Sequence, residues 1–183
     1  LRSAGIPAMW RTTSSEIGSW NRTSGVGVPR ASAAADIDEE KQSRQLALYG
    51  HEAMRALRLT AVLVSGMDGL GAAIAKNVAL ANVGSTLVHD TKVVEAVDCS
   101  SNFLLSSSSM GMSRAEACAT ALRALNPDVQ ITASNGPFPQ HTLSGFDAVI
   151  VAGVSDAEME EIDAGCRSNS TAFVRAEVRG LAG

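Results

Sequence analysis

Cysteine is scarce in this chain. The three thiols, Cys99, Cys118 and Cys166, are odd in number and isolated, and no C-x-x-C occurs. That argues against both a zinc ribbon and a disulfide frame, and points to a reducing compartment, cytoplasm or nucleus. No apolar run approaches the ~20 residues that cross a bilayer, so no membrane is expected as a partner. Positive charge is not in excess either. The net charge is -4 and the pI is near 5.3, which gives no electrostatic case for nucleic acid. Aromatics make up only 4% of the residues, but 45% are apolar and 19% charged, ordinary for a soluble globular chain. At 183 residues the length suits one domain with a proper core.

What is present is concentrated between Thr60 and Val83. Ala61, Val62, Leu63 and Val64 form a continuous apolar run, expected of a strand buried on both faces of a parallel sheet. Gly66, Gly69 and Gly71 follow, then a segment with Leu70, Ile74 and Val78 at helical spacing. Strand, glycine turn and helix open a nucleotide- or dinucleotide-binding α/β domain, in which a phosphate sits at the helix N-terminus. Asp68 lies in the middle of that loop. A carboxylate ~5 Å from a phosphate, at an effective dielectric of ~20, is repelled by roughly 3 kcal/mol. Either Asp68 points away, or the loop keeps the fold and has lost the ligand.

The first 35 residues are rich in Ser, Thr, Gly and Arg, with four arginines against one glutamate and no apolar period, so a disordered tail is expected over 1–35. Order is expected from Ile37, through Ser43-Arg44-Gln45-Leu46 and Gly50, into a helix over His51–Leu57 with Ala53, Met54 and Leu57 inward. Ser85 to Asp90 reads as the second strand. Asp90 stands 21 residues after Gly69, where an acidic residue holds a ribose hydroxyl in Rossmann-like sites, although a strand-terminal Asp also serves turns. Ser113-Arg114-Ala115-Glu116 and Ser155-Asp156-Ala157-Glu158 are capping boxes. The first opens a helix with Ala115, Cys118, Ala119, Leu122 and Leu125 inward, the second one lined by Met159, Ile162 and Cys166. Val129–Ala133, Phe146–Ala152 and Thr171–Val174 are strands three to five, with a loop over Gly136–Ser144. Alternating strands and helices predict an α/β, Rossmann-like, mostly parallel sheet flanked by helices over residues 36–183.

In order and spacing, five pieces resemble the adenylation domains of ubiquitin-activating enzymes, of ThiF- and MoeB-like fold. They are Ser43-Arg44-Gln45-Leu46 with Gly50; Gly66-x-x-Gly69-Leu70-Gly71; Asp98-Cys99-Ser100-Ser101-Asn102-Phe103-Leu104; Arg114-Ala115-Glu116; and Arg179-Gly180-Leu181. The resemblance implies ATP and Mg²⁺ as cofactors of the whole enzyme, and a ubiquitin-like protein and a conjugating enzyme as partners. It also separates active from inactive halves. Here Asp68 replaces a loop glycine and Lys92 replaces an acid after strand two. Ser100 and Ser101 stand for Asn and Arg, and Val154 and Ser155 for Asp and Asn. A valine cannot ligate Mg²⁺, and a serine cannot offset phosphate charge. The resemblance is therefore to the N-terminal, inactive half. It implies a degenerate, unoccupied loop (Gly66, Gly69, Gly71, Asp90), no metal site, and no catalytic residue in this segment. It also implies that Arg44 reaches the ATP phosphates of an active half in the same chain or a partner subunit. Arg114, in place of a lysine, keeps a structural charge, and none of the three cysteines matches the family's nucleophile.

Three other readings stay open at this point. One is the small subunit of a SUMO- or NEDD8-type activating heterodimer. Another is an NAD-dependent oxidoreductase using Gly66, Gly69, Gly71 and Asp90, against which stand Asp68, Ile74 at the third glycine's spacing, and no hydride-transfer set. The last is an interaction module without a site. A start at Leu1 and an end at Gly183 suggest a piece of a longer protein, truncated at its C-terminal end.

Overall fold

The computed structural model describes residues 37–180, so the expected tail over 1–35 lies outside the described residues. Five parallel strands, β1 Ala61–Ser65, β2 Ser85–His89, β3 Gln130–Ser134, β4 Ala148–Ala152 and β5 Ala172–Ala176, form one sheet in the order β3-β2-β1-β4-β5. Helices α1 Ser43–Leu59, α2 Gly69–Leu80, α3 Asp98–Ser101, α4 Arg114–Leu125 and α5 Asp156–Ser168 connect and cover the strands. Strand order reverses between β1 and β4, which opens a crevice beyond their C-terminal ends.

The central strand is buried at every position. Val62 and Val64 face a core shared with α2 and α4, through Ala75, Ala79, Cys118 and Leu122. Ala61 and Leu63 face a second core with Val149, Val151, Ile162 and Cys166. Alternate side chains of one strand thus feed both layers, and that two-sided burial is why the run is uninterrupted.

In α2 the residues buried against the sheet are the small ones, Gly71, Ala72, Ala75 and Ala79, with Ile74 and Val78 half-buried against the same core. Small residues let the helix lie close to the sheet. Several predicted details shift. Leu125 is 46% exposed where α4 ends, and Ala53 is exposed while Met54 is fully buried. Strands β3 and β5 begin one residue late and β4 two residues late. Asp90 falls just beyond β2, and a 3₁₀ turn, Gln140–Gly145, occupies part of the expected loop. The helix expected over His51–Leu57 extends over Ser43–Leu59 with a break at Gly50 (φ 78°, ψ 165°). Ser155 and Glu158 make a reciprocal capping box, whereas Ser113 only accepts from the Glu116 N–H.

Candidate functional site: a self-liganded crevice

The crevice encloses about 520 Å³ and is lined by Gly66, Asp68, His89, Asp90, Arg114 and Val154, among others. Its glycines are fixed by the chain's own backbone. A Cβ on Gly66 (φ +89°) would lie 2.0 Å from the Ala152 carbonyl oxygen, one on Gly71 1.7 Å from the Gly66 oxygen, and one on Gly69 2.6 Å from the Ser101 oxygen. The loop is pressed against β4, against itself and against α3, so the three glycines are required with no phosphate present.

Asp68 does not point away. It is the N-cap of α2, and its Oδ1 accepts the Gly71 N–H at 2.8 Å. A carboxylate is thus seated at the helix N-terminus, where the fold would otherwise place an anionic ligand. Asp90, 4% exposed, turns inward. Its Oδ2 accepts the Met67 N–H (2.7 Å) and Arg114 Nε (2.8 Å), and its Oδ1 accepts the Lys92 N–H (2.8 Å). The carboxylate that would hold a ribose is committed to the loop and to Arg114.

Arg114 is paired twice, to Asp90 (2.7 Å) and to Asp98 at the start of α3 (2.9 Å). Burial works against its charge, but hydrogen bonds and attraction from Asp90 and then Asp98 outweigh it and hold its pKa above the ordinary guanidinium value. The Asp98 carboxyl is held below its ordinary value, first by the Glu95 N–H and then, against the cost of desolvation, by Arg114. Asn102, 1% exposed, donates to the Met67 carbonyl and accepts the Leu104 N–H, which ties the segment after α3 to the glycine loop. These links among the loop, α3 and α4 were not legible in the sequence, although Asp98, Asn102 and Arg114 all lie within its motifs. His89 is likewise engaged: Nδ1 pairs with Ser65 Oγ at 2.8 Å and Nε2 with the Gly136 carbonyl at 2.9 Å. The carbonyl can only accept, so Nε2 carries a proton.

The positions that would have to hold phosphate and metal do not fit that task. Val154 offers no ligand, and the Ser155 hydroxyl is spent in its capping box. Ser100 Oγ donates back to the Val97 carbonyl. Among the described residues, no group of three or more His, Cys, Asp or Glu could hold a metal ion. Cys118 is fully buried, and burial pushes its thiol up to about 11; Cys166 is also buried and shifted upward, while Cys99 is half-buried. Neither buried thiol has the lowered pKa of a nucleophilic thiolate.

Arg44 lies elsewhere. It is exposed in the first turn of α1 and makes no hydrogen bond or ion pair with a described residue. Its neighbour Gln45 donates to Leu80, the last residue of α2. The 12 residues of α2 span about 18 Å between that point and Asp68. Arg44 is therefore at the strand-start end of the sheet, away from its own glycine loop.

Residues 42–183 match the model of the ThiF family. The chain belongs to the ThiF family. It is 47% identical over 150 residues to ubiquitin-activating enzyme E1 2 of Triticum aestivum, covering 81% of this chain and 14% of that protein. It is 40% identical over 157 residues to ubiquitin-like modifier-activating enzyme 1 of Rattus norvegicus, covering 86% and 15%. The ThiF chain thus spans about one-seventh of the length of these relatives. Its fold is shared with E. coli tRNA N6-threonylcarbamoyladenosine dehydratase, TcdA, in complex with ATP. There the TM-score is 0.67 at 22% identity, over 75% of this chain and 58% of that one.

Proposed function

We propose that this chain is the non-catalytic adenylation half of a ubiquitin-activating enzyme. In this reading it pairs with an active adenylation half in the same polypeptide or in a partner subunit. ATP and Mg²⁺ are held mainly by that active half, which activates the C-terminus of ubiquitin or a ubiquitin-like protein for delivery to a conjugating enzyme. The observation that carries the inactive assignment is Asp68: its carboxylate fills the helix N-terminus that would otherwise receive a phosphate. The loss of metal-binding character at Val154 and the internal pairing of Asp90 with Arg114 support it. Likeness to ubiquitin-activating enzymes over more than four-fifths of the chain supports the choice of pathway.

Arg44 is this half's contribution to the chemistry. It extends from the end opposite the crevice and has no partner among the described residues, as suits a cation offered to phosphates bound elsewhere. Titration of the chain with ATP and Mg²⁺, and separately with NAD, tests the crevice. No saturable binding is expected up to millimolar nucleotide. A micromolar site for ATP would overturn the inactive assignment, and one for NAD would restore the oxidoreductase.

A further inference from the structure

The first seven residues of α1 form an arm distinct from the rest of that helix. At Gly50 the backbone takes φ 78°, ψ 165°, a region that essentially only glycine occupies, and the chain then resumes as a helix from His51. A Cβ added at Gly50 would meet nothing within 4 Å, so a side chain there is opposed by backbone conformation alone. The arm is fixed to the body by a ladder of side-chain amides. Gln45 Nε2 donates to the Leu80 carbonyl, and Asn82 Nδ2 donates to Gln45 Oε1. Asn126 Nδ2 in turn donates to Asn82 Oδ1 and to the Ala79 carbonyl. Asn82 itself sits at φ 59°, a left-handed conformation that asparagine tolerates better than most residues. Lys41, just before the arm, pairs with Asp128. Arg44, one residue from the ladder, is itself left exposed.

Such an arrangement costs conformational freedom and uses a glycine-only turn where a continuous helix would be simpler. Its effect is to set the direction of a seven-residue arm and to pin it beside the arginine. We propose that Gly50 and the Gln45–Asn82–Asn126 ladder are positioning residues for Arg44, holding the arm preset before the partner half arrives. This rests on the reading of Arg44 given above. A long, flexible side chain delivers its charge well only when its own backbone is immobile, since a misplacement of about 1 Å can cost a hundredfold in rate.

The test uses the assembled enzyme, this half together with its active partner half, and two variants that act differently. Gly50→Ala forbids the turn; Asn82→Gly keeps the left-handed backbone free of strain while deleting the middle rung. Each is expected to slow ATP–pyrophosphate exchange roughly tenfold to a hundredfold through kcat, with the KM for the modifier unchanged. Neither should slow it further in an Arg44→Ala background, because the loss is routed through that arginine. Independently of activity, Asn82→Gly should raise amide hydrogen exchange over residues 43–49 and leave the β1–β4 core protected. If Arg44→Ala slows exchange while both variants run at the wild-type rate, the positioning role is overturned and the Arg44 reading stands. If the variants slow the Arg44→Ala enzyme as much as the wild type, their effect is general and the proposal fails. If Arg44→Ala is itself at the wild-type rate, the reading beneath the proposal fails first.

Discussion

Two arginines of this chain sit at opposite ends of the sheet in opposite conditions. Arg114 is 9% exposed, locked between two carboxylates at the strand-end crevice. Arg44 is exposed at the strand-start end and has no partner among the described residues. A cation matched inside its own chain has little left to offer a ligand, whereas one left unmatched on a rigid mount is available to another molecule. The crevice keeps the outline of a nucleotide site but has satisfied its charges internally: Asp68 at the helix N-terminus stands for the anion, and Arg114 serves Asp90. If this chain acts on a phosphate, the exposed end is where it acts.

The widest separation between the two should appear in catalysis. Arg44→Ala, in the enzyme that joins this half to its active partner half, is expected to slow adenylation, read as ATP–pyrophosphate exchange, by roughly one to three orders of magnitude. Folding and the later thioester step should be spared. Lysine at the same place restores the charge but not the paired donors of a guanidinium, so Arg44→Lys should recover only part of the rate. Wild-type exchange in Arg44→Ala at both saturating and subsaturating ATP would break the comparison.

The converse holds for Arg114, whose loss should register as stability. Arg114→Ala leaves Asp90 buried and Asp98 half-buried without their cation and frees α3 from α4. Removing one partner of a buried pair costs about 3–5 kcal/mol, and since the crevice admits water the lower end is expected. Denaturant unfolding measures it through a lower midpoint. Exchange, measured where the protein is still folded, should fall far less than in Arg44→Ala. A variant of wild-type stability would mean that the two carboxylates find other partners and that the crevice is not held together by this charge.

The fold was legible because its signals are local. The run Ala61–Val64 and the close-set Gly66, Gly69 and Gly71 follow from one strand buried on two faces and one turn pressed against backbone. The state of the crevice was not. Asp68 was readable as an intruder, but whether it turned outward or capped the helix hangs on a single contact to the Gly71 N–H. Asp90 has the spacing of a ribose-holding acid, and its contacts with the Met67 N–H and with Arg114, 23 and 24 residues away, show it committed. Within α2, close approach to the sheet buries Gly71, Ala72, Ala75 and Ala79, a selection by smallness that the helical spacing of Leu70, Ile74 and Val78 does not reveal.

The smallest effect expected is a pH dependence that belongs to the crevice end alone. The Asp98 carboxyl lies below its ordinary value of 3.8 in the folded chain, chiefly through the Glu95 N–H and further through Arg114, while in the unfolded chain it returns to that value. Between those two values the unfolded state binds more protons than the folded one, so stability rises with pH through the window. The contribution is therefore complete above the ordinary value and disappears as pH falls through the depressed folded one. Asp98→Asn removes the titration, so its melting temperature should fall less than that of wild type on acidification from pH 5 toward pH 3. At neutral pH the variant should be less stable, because Arg114 then has only Asp90. Arg44 lies outside this network, so Arg44→Ala should follow the wild-type melting curve at every pH. Parallel acid curves for Asp98→Asn and wild type would show that the contacts from Glu95 and Arg114 do not govern the Asp98 charge. The distinction between a sealed end and an open one would then lose its electrostatic basis at α3.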